Sequence, residues 1–323
     1  MERGEERYAV ETLSLTKVYK GRPAVDHIDM KVREGAIYGF IGRNGAGKST
    51  TLKMICGLAK PTERDIRLFG KPMDDFSAAR RTGCLIELTG LYPKMTARQN
   101  LIMKAKCMGL ADEESVDRVM ASTGLSDTGK KKVGHFSMGM KQRLGIALAL
   151  LGNPDLLILD EPINGLDPEG TREVRQLILR LNEEGKTLIV SSHILGELSK
   201  IATHYGIIKD GRLVEQIDTE SLERNCKDYF RIEVDDSRRA VPVIAEAMPY
   251  VQAEVLDGRQ IRLYDLKDSA GLNRLLVENR IQIYSSGFHH MDLEEYFLSR
   301  MDGSQGHEDR SLKGNSEGGG KNV

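Results

Sequence analysis

Short apolar runs set off by Gly, Pro and charged positions recur along the first two thirds of the chain, with helically spaced stretches between them. The runs at 37–41, 84–86, 156–159, 187–190 and 205–208 predict strands. Several lack period-2 alternation, the pattern of a parallel sheet covered on both faces. Stretches 48–56, 97–108, 138–151 and 169–183 predict helices, so the chain through about residue 218 reads as α/β. Asp210-Gly211 separates two apolar runs and predicts a hairpin turn.

Beyond Arg224 the pattern changes. A strand at 230–234, a helix at 237–248, two strands joined at Asp257-Gly258, a helix near 272–278 and a strand at 281–285 follow in order. This β-α-β-β-α-β succession is that of the ferredoxin-like split motif. A short helix is expected at 293–301. From 302 to 323 the residues are mostly Gly, Ser, Asn and charged, and cannot bury enough apolar surface to fold. The expected organisation is an α/β domain over 8–220, a small α+β carboxyl-terminal domain over 226–301 and a disordered tail over 302–323.

A length of 323 residues suits one large domain with a smaller one. The formal net charge of -1 gives no bulk attraction to nucleic acid. Cys56, Cys84, Cys107 and Cys226 have neither zinc-site spacing nor the density of a disulfide framework, which favours a reduced cytosolic compartment. Residues 1–7 are charged where a signal peptide would be apolar, and no run has the length of a membrane span. Any membrane contact is therefore expected through a partner.

Gly42-Arg43-Asn44-Gly45-Ala46-Gly47-Lys48-Ser49, followed by Thr50, has the spacing of a phosphate loop and lies between a predicted strand and a predicted helix. Glycines let successive N–H groups face phosphates, and the helix N-terminus adds a favourable dipole. Lys48 would reach the β- and γ-phosphates of a nucleotide, and the Ser49 hydroxyl would ligate magnesium. The apolar strand 156–159 leads into Asp160-Glu161-Pro162, two carboxylates at the strand end where ligands of such sheets bind. Asp160 would hold magnesium through its water shell, and Glu161 would orient an attacking water as general base. Taken alone, this acidic pair reads equally well as a turn cap.

With Ser137-Met138-Gly139-Met140-Lys141-Gln142-Arg143, Asn164-Gly165-Leu166-Asp167 and His193 added in this order, the region from Glu11 to about Ile217 resembles an ABC-type (ATP-binding cassette) phosphate-loop ATPase. The resemblance implies ATP and magnesium as cofactors. It also implies a homodimer or heterodimer in which each ATP lies between one subunit's phosphate loop and the other's signature segment. The commonest signature is Leu-Ser-Gly-Gly-Gln, and here Phe136-Ser137-Met138-Gly139-Met140 keeps the Ser and the first Gly. Ser137 and Gly139 would approach a γ-phosphate across the dimer, although Ser137 also suits a plain N-cap. Met138 and Met140 read as packing. His193 matches the family's γ-phosphate-sensing histidine, and Asp167 matches the loop that communicates across the dimer. Tyr19 stands where the family stacks an aromatic ring on adenine; an aromatic at a strand end is otherwise core.

Glu87 stands where the family usually has a magnesium-touching glutamine that faces the permease. As a metal ligand it would add a charge; as a surface residue it would have no role. Glu87, the Ser-Met-Gly-Met-Lys-Gln-Arg segment and Ser191-Ser192-His193-Ile194-Leu195 are together similar to the bacitracin-resistance and lantibiotic-immunity group of ATPases. That group implies separate transmembrane permease subunits, antimicrobial-peptide export and a peripheral place on the cytoplasmic face of the membrane. An ATPase for another exported substrate remains an alternative. A soluble ABC protein of translation or DNA repair is the other, but one phosphate loop and no sustained heptads fit it poorly.

Overall fold

The computed structural model describes residues 7–86, 90–110, 113–291 and 293–302. Glu87 and residues 303–323 of the tail expected over 302–323 lie outside the described residues, while Asp302 ends the last helix.

The centre is a six-stranded sheet in the order β11 (Arg212–Asp218), β10 (His204–Lys209), β4 (Ile37–Ile41), β9 (Thr187–Ser192), β8 (Leu156–Asp160) and β7 (Thr82–Leu85). All neighbours are parallel except β11, which returns antiparallel to β10. That return is the Asp210-Gly211 hairpin, whose two residues have φ of 49° and 81°, as a two-residue turn matched to strand twist needs. Strands β4, β8 and β9 are buried along their whole length. This is why they read as continuous apolar runs without alternation.

An antiparallel sheet forms a second layer: β1 (Tyr8–Tyr19) lies between β2 (Arg22–Ile28) and β5 (Glu63–Leu68), with β3 (Lys31–Arg33) also on β1 and β6 (Lys71–Pro72) on β5. Helix α1 (Lys48–Ile55) packs between the two sheets through Leu52, Met54 and Ile55, all fully buried. The short α2 (Phe76–Ala79) leads into β7. Helices α3 (Ala97–Cys107), α4 (Glu113–Ser122) and α5 (Met138–Leu150) build a helical layer with its own core around Leu101, Leu125 and Leu144. Helix α6 (Pro168–Glu183) buries Val174, Leu177, Ile178 and Leu181 at i, i+3, i+4 and i+7. Each such side chain contributes about 1.5–3 kcal/mol, and together they seat α6 on the central sheet.

After α7 (Leu195–Leu198) and α8 (Thr219–Asn225), a third sheet has the order β13 (Gln252–Val255), β14 (Gln260–Tyr264), β12 (Asp228–Val234) and β15 (Ile283–His290), antiparallel throughout. Helices α9 (Ser237–Ala247) and α10 (Ser269–Glu278) share a core with it, so the arrangement is a split β-α-β unit. Helix α11 (Leu293–Asp302) turns back, and its Tyr296 and Phe297 enter the core that contains Leu157, Leu188 and Val190 of the central sheet.

Candidate functional site

Five parallel strands end at the same edge of the central sheet, where ligands of such sheets bind. From β4 the chain enters residues 42–47 and then α1. Gly47 is the N-cap of α1 with φ of 109°, and a side chain there would meet the Ala24 carbonyl oxygen at 2.7 Å. Only glycine suits both conditions. The loop is fastened from outside, since the Gly211 N–H donates to the Ala46 carbonyl oxygen at 3.0 Å.

Lys48 is only 6% exposed. Its ammonium curls back and donates to the Gly42 carbonyl oxygen at 2.6 Å, while Glu161 Oε1 stands 3.3 Å away. The Thr51 hydroxyl donates to the Gly47 carbonyl oxygen at 3.0 Å, and Ser49 and Thr50 are half-buried on the first turn of α1. A buried cation at a helix N-terminus, ringed by glycine backbone, fits an anionic phosphate chain.

Asp160 ends β8, buried, and Glu161 follows with φ of 48°. That region is uncommon for a residue with a side chain and marks a constrained position. The constraint comes from Ser191 on β9, whose hydroxyl donates to Asp160 Oδ1 and accepts from the Glu161 N–H at 2.9 Å. His193, just beyond β9, places Nδ1 2.9 Å from Glu161 Oε2. One carboxylate thus faces both Lys48 and His193, while its neighbour sits one residue back in the sheet. The donor set of Ser49 hydroxyl and Asp160 carboxylate is all oxygen, the chemistry that suits magnesium.

In the sequence Ser191 figured only within the Ser191-Ser192-His193-Ile194-Leu195 likeness, with no role of its own. The available signal was the pair of hydroxyl residues, Ser191 and Ser192, that closes the apolar run before His193. Ser191→Ala is expected to leave the buried Glu161 N–H unpaired, costing about 1–3 kcal/mol of stability. ATP turnover is expected to fall more than ATP affinity, which denaturant titration and steady-state kinetics together would check.

The remaining predicted residues lie elsewhere on the chain. Ser137 is the N-cap of α5, accepting from the Met140 N–H at 3.2 Å. Gly139, buried in the first turn of α5, faces α6, where a Cβ on it would make ordinary contact with Gly170 Cα at 3.5 Å. Asp167 caps α6 through the Gly170 N–H at 2.9 Å. Met138 is exposed at the helix start and Met140 packs against the core of the helical layer. Tyr19, at the end of β1, is 49% exposed with the Lys17 ammonium over its ring at 4.8 Å. It is a surface ring and not core. His289 stacks on Tyr229, with ring centroids 5.7 Å apart. Cys56 and Cys84, distant in sequence, meet at the end of α1, where the hydrogen bond between the thiols lowers the Cys84 pKa and raises that of Cys56.

Residues 25–164 match the family model described as ABC transporter. Over 298 residues the chain is 42% identical to the bacitracin transport ATP-binding protein BcrA of Bacillus licheniformis, covering 91% of this chain and 97% of that protein. It is 37% identical over 221 residues to the lantibiotic transport ATP-binding protein SrtF of Streptococcus pyogenes, covering 68% of this chain and 95% of that one. Among solved structures it resembles an ATP-binding cassette captured as a dimer in a post-hydrolysis state with ADP and phosphate. There the TM-score is 0.58 at 26% identity, over 65% of this chain and 98% of the other.

Proposed function

Because this chain belongs to the ABC transporter ATP-binding family, we propose that residues 42–50, Asp160, Glu161 and His193 form its hydrolytic site, and that it powers export of a bacitracin- or lantibiotic-like peptide. It is the ATP-binding subunit of an ABC transporter and it hydrolyses ATP. The observation that carries the substrate class is coverage. The bacitracin transport relative is matched over 97% of its own length, a span that takes in the split β-α-β unit as well as the cassette.

In this reading Lys48 and the loop N–H groups hold the β- and γ-phosphates of ATP, and Tyr19 offers its exposed ring to adenine. Glu161 takes the proton of the attacking water while His193 holds the carboxylate in place and senses the γ-phosphate. Ser49, Asp160 and Glu87 are the proposed magnesium donors, and the ion, when bound, neutralises charge that develops on the phosphate oxygens. Ser137 and Gly139 complete the site of a second copy or a related partner, and Asp167 communicates across that interface. Their position on α5 and α6, away from the phosphate loop of the same chain, supports this division.

The permease subunits are separate proteins in this proposal, which puts the chain on the cytoplasmic face of the membrane. Among the described residues no helix is long and apolar enough to cross a membrane. Expressed alone, the chain is expected in the supernatant after fractionation; with its permease subunits it is expected in the membrane pellet. Strong pelleting of the lone chain would contradict the proposal.

The decisive assay is survival of cells carrying the permease subunits when challenged with the peptide. Wild type is expected to protect and Glu161→Gln is not; equal survival with both excludes the assignment. Glu87→Gln keeps an oxygen ligand and removes a charge, so basal hydrolysis is expected to stay within about tenfold, while Glu87→Ala slows it further. Both changes are expected to weaken protection more than solution ATPase activity. Equal losses in the two assays would make Glu87 purely catalytic.

A further inference from the structure

Helix α7 begins two residues after His193, has only four residues, and has no side-chain cap at its N-terminus. Its place is set by what Leu195 and Leu198 pack against and by the Glu197 carboxylate, which pairs with Arg175 of α6 at 2.6 Å. Both belong to the core completed by Tyr296 and Phe297 of α11. Phe297 is fully buried with its ring 5.4 Å from Tyr205 on β10. The Tyr296 hydroxyl donates to Glu215 on β11 at 2.9 Å, and Arg300 Nε lies 3.2 Å from the same carboxylate. On the exposed side of α11, Glu294 and Leu298 close a cavity of about 240 Å³ whose other walls are residues 41–44, His193 and Leu195.

A neighbouring face of α11 grips the third sheet. Glu295 accepts from the Tyr229 hydroxyl on β12 at 2.9 Å and pairs with the Arg262 guanidinium on β14. One helix thus touches the segment that carries His193, lines a cavity with the phosphate loop, and is tied by a charged hydrogen-bonded contact to a unit with no part in the site.

We propose that α11 is a positioning element of the ATP site: through α7 it sets His193 against Glu161, and through Glu295 it makes that placement depend on the split β-α-β unit. The inference rests on the hydrolytic roles of Glu161 and His193 proposed above. A rigid helix packed on both units can carry such coupling.

Glu295→Gln keeps an acceptor for Tyr229 and removes the charge facing Arg262. In the full-length protein it is expected to lower kcat for ATP about three- to tenfold with KM within twofold, at nearly unchanged melting temperature. If Glu295→Gln fails to fold, Tyr229→Phe, which deletes one hydroxyl and leaves the ion pair, is measured instead and is expected to lower kcat about twofold. A second readout is amide hydrogen exchange in the Glu161→Gln protein. Adding MgATP is expected to change protection in α11 and in β12, and Glu295→Gln in that background is expected to abolish the change in β12. A folded variant with wild-type kcat, or no ATP-dependent change in β12, overturns the proposal. If Glu161→Gln or His193→Ala leaves turnover intact, the site assignment itself has failed; if those abolish turnover and the α11 comparison is flat, only the coupling has.

Discussion

Glu161→Gln is expected to cut ATP turnover by about 10²–10⁴-fold, the contribution of a positioned general base, while leaving ATP binding in place. The substitution preserves the geometry. Glutamine has the same length: with its amide oxygen toward the Lys48 ammonium, which faces Oε1, its NH2 can donate to the His193 Nδ1, which faces Oε2. The Ser191 bond goes to the backbone N–H of residue 161 and survives the change. Only the capacity to take a proton is lost. Because ATP favours the closed pair of subunits and hydrolysis no longer removes it, the variant is expected to accumulate as an ATP-bound dimer. Size-exclusion chromatography in MgATP checks this, and a purely monomeric Glu161→Gln protein that still binds ATP would exclude the two-subunit sandwich.

Lys48→Ala is expected to have a comparable effect by another route, with turnover falling at least about 10²–10³-fold, as when a preorganised charge-stabilising donor is removed. ATP affinity is expected to fall with it, separating this variant from Glu161→Gln. The buried ammonium leaves the Gly42 carbonyl oxygen and Glu161 without their cation, so a modest drop in melting temperature is expected too. The fold should persist, because α1 is held by Leu52, Met54 and Ile55, none of which contacts the ammonium through a polar bond. Titration with a fluorescent ATP analogue and a steady-state ATPase assay measure both effects. Wild-type turnover in Lys48→Ala would remove the phosphate loop from the mechanism.

Legibility in the sequence followed burial. Strands β4, β8 and β9 were readable because both faces are covered and each carries an apolar run through its middle. The loop before α1 was readable because its glycines and Lys48 have a spacing that few other structures require. The antiparallel layer of β1, β2, β3, β5 and β6 was not singled out. In β1 polar and apolar positions are interrupted by register shifts opposite β2, β3 and β5, so period-2 counting loses phase. The meeting of Cys56 with Cys84 and the insertion of Tyr296 and Phe297 beside β10 depend on tertiary topology, and local spacing holds no trace of them. Ser191 lies between these cases. Its position at the end of an apolar run was visible, but not that its hydroxyl faces the neighbouring strand's two acidic residues.

The hydroxyl of Tyr296 reaches Glu215 across 81 residues of chain, a separation with a temporal meaning during synthesis. A ribosome adding about 5–20 residues per second needs roughly 4–16 seconds to cover that interval. For that time Leu195, Leu198 and Tyr205 have emerged while Tyr296 and Phe297, their partners in one buried core, have not. A nascent chain at this stage therefore displays an apolar groove beside the half-built cassette, the kind of surface that chaperones and proteases recognise. Messages broken before codon 293 would yield products that never close this groove. Docking of α11 is the step that covers this groove.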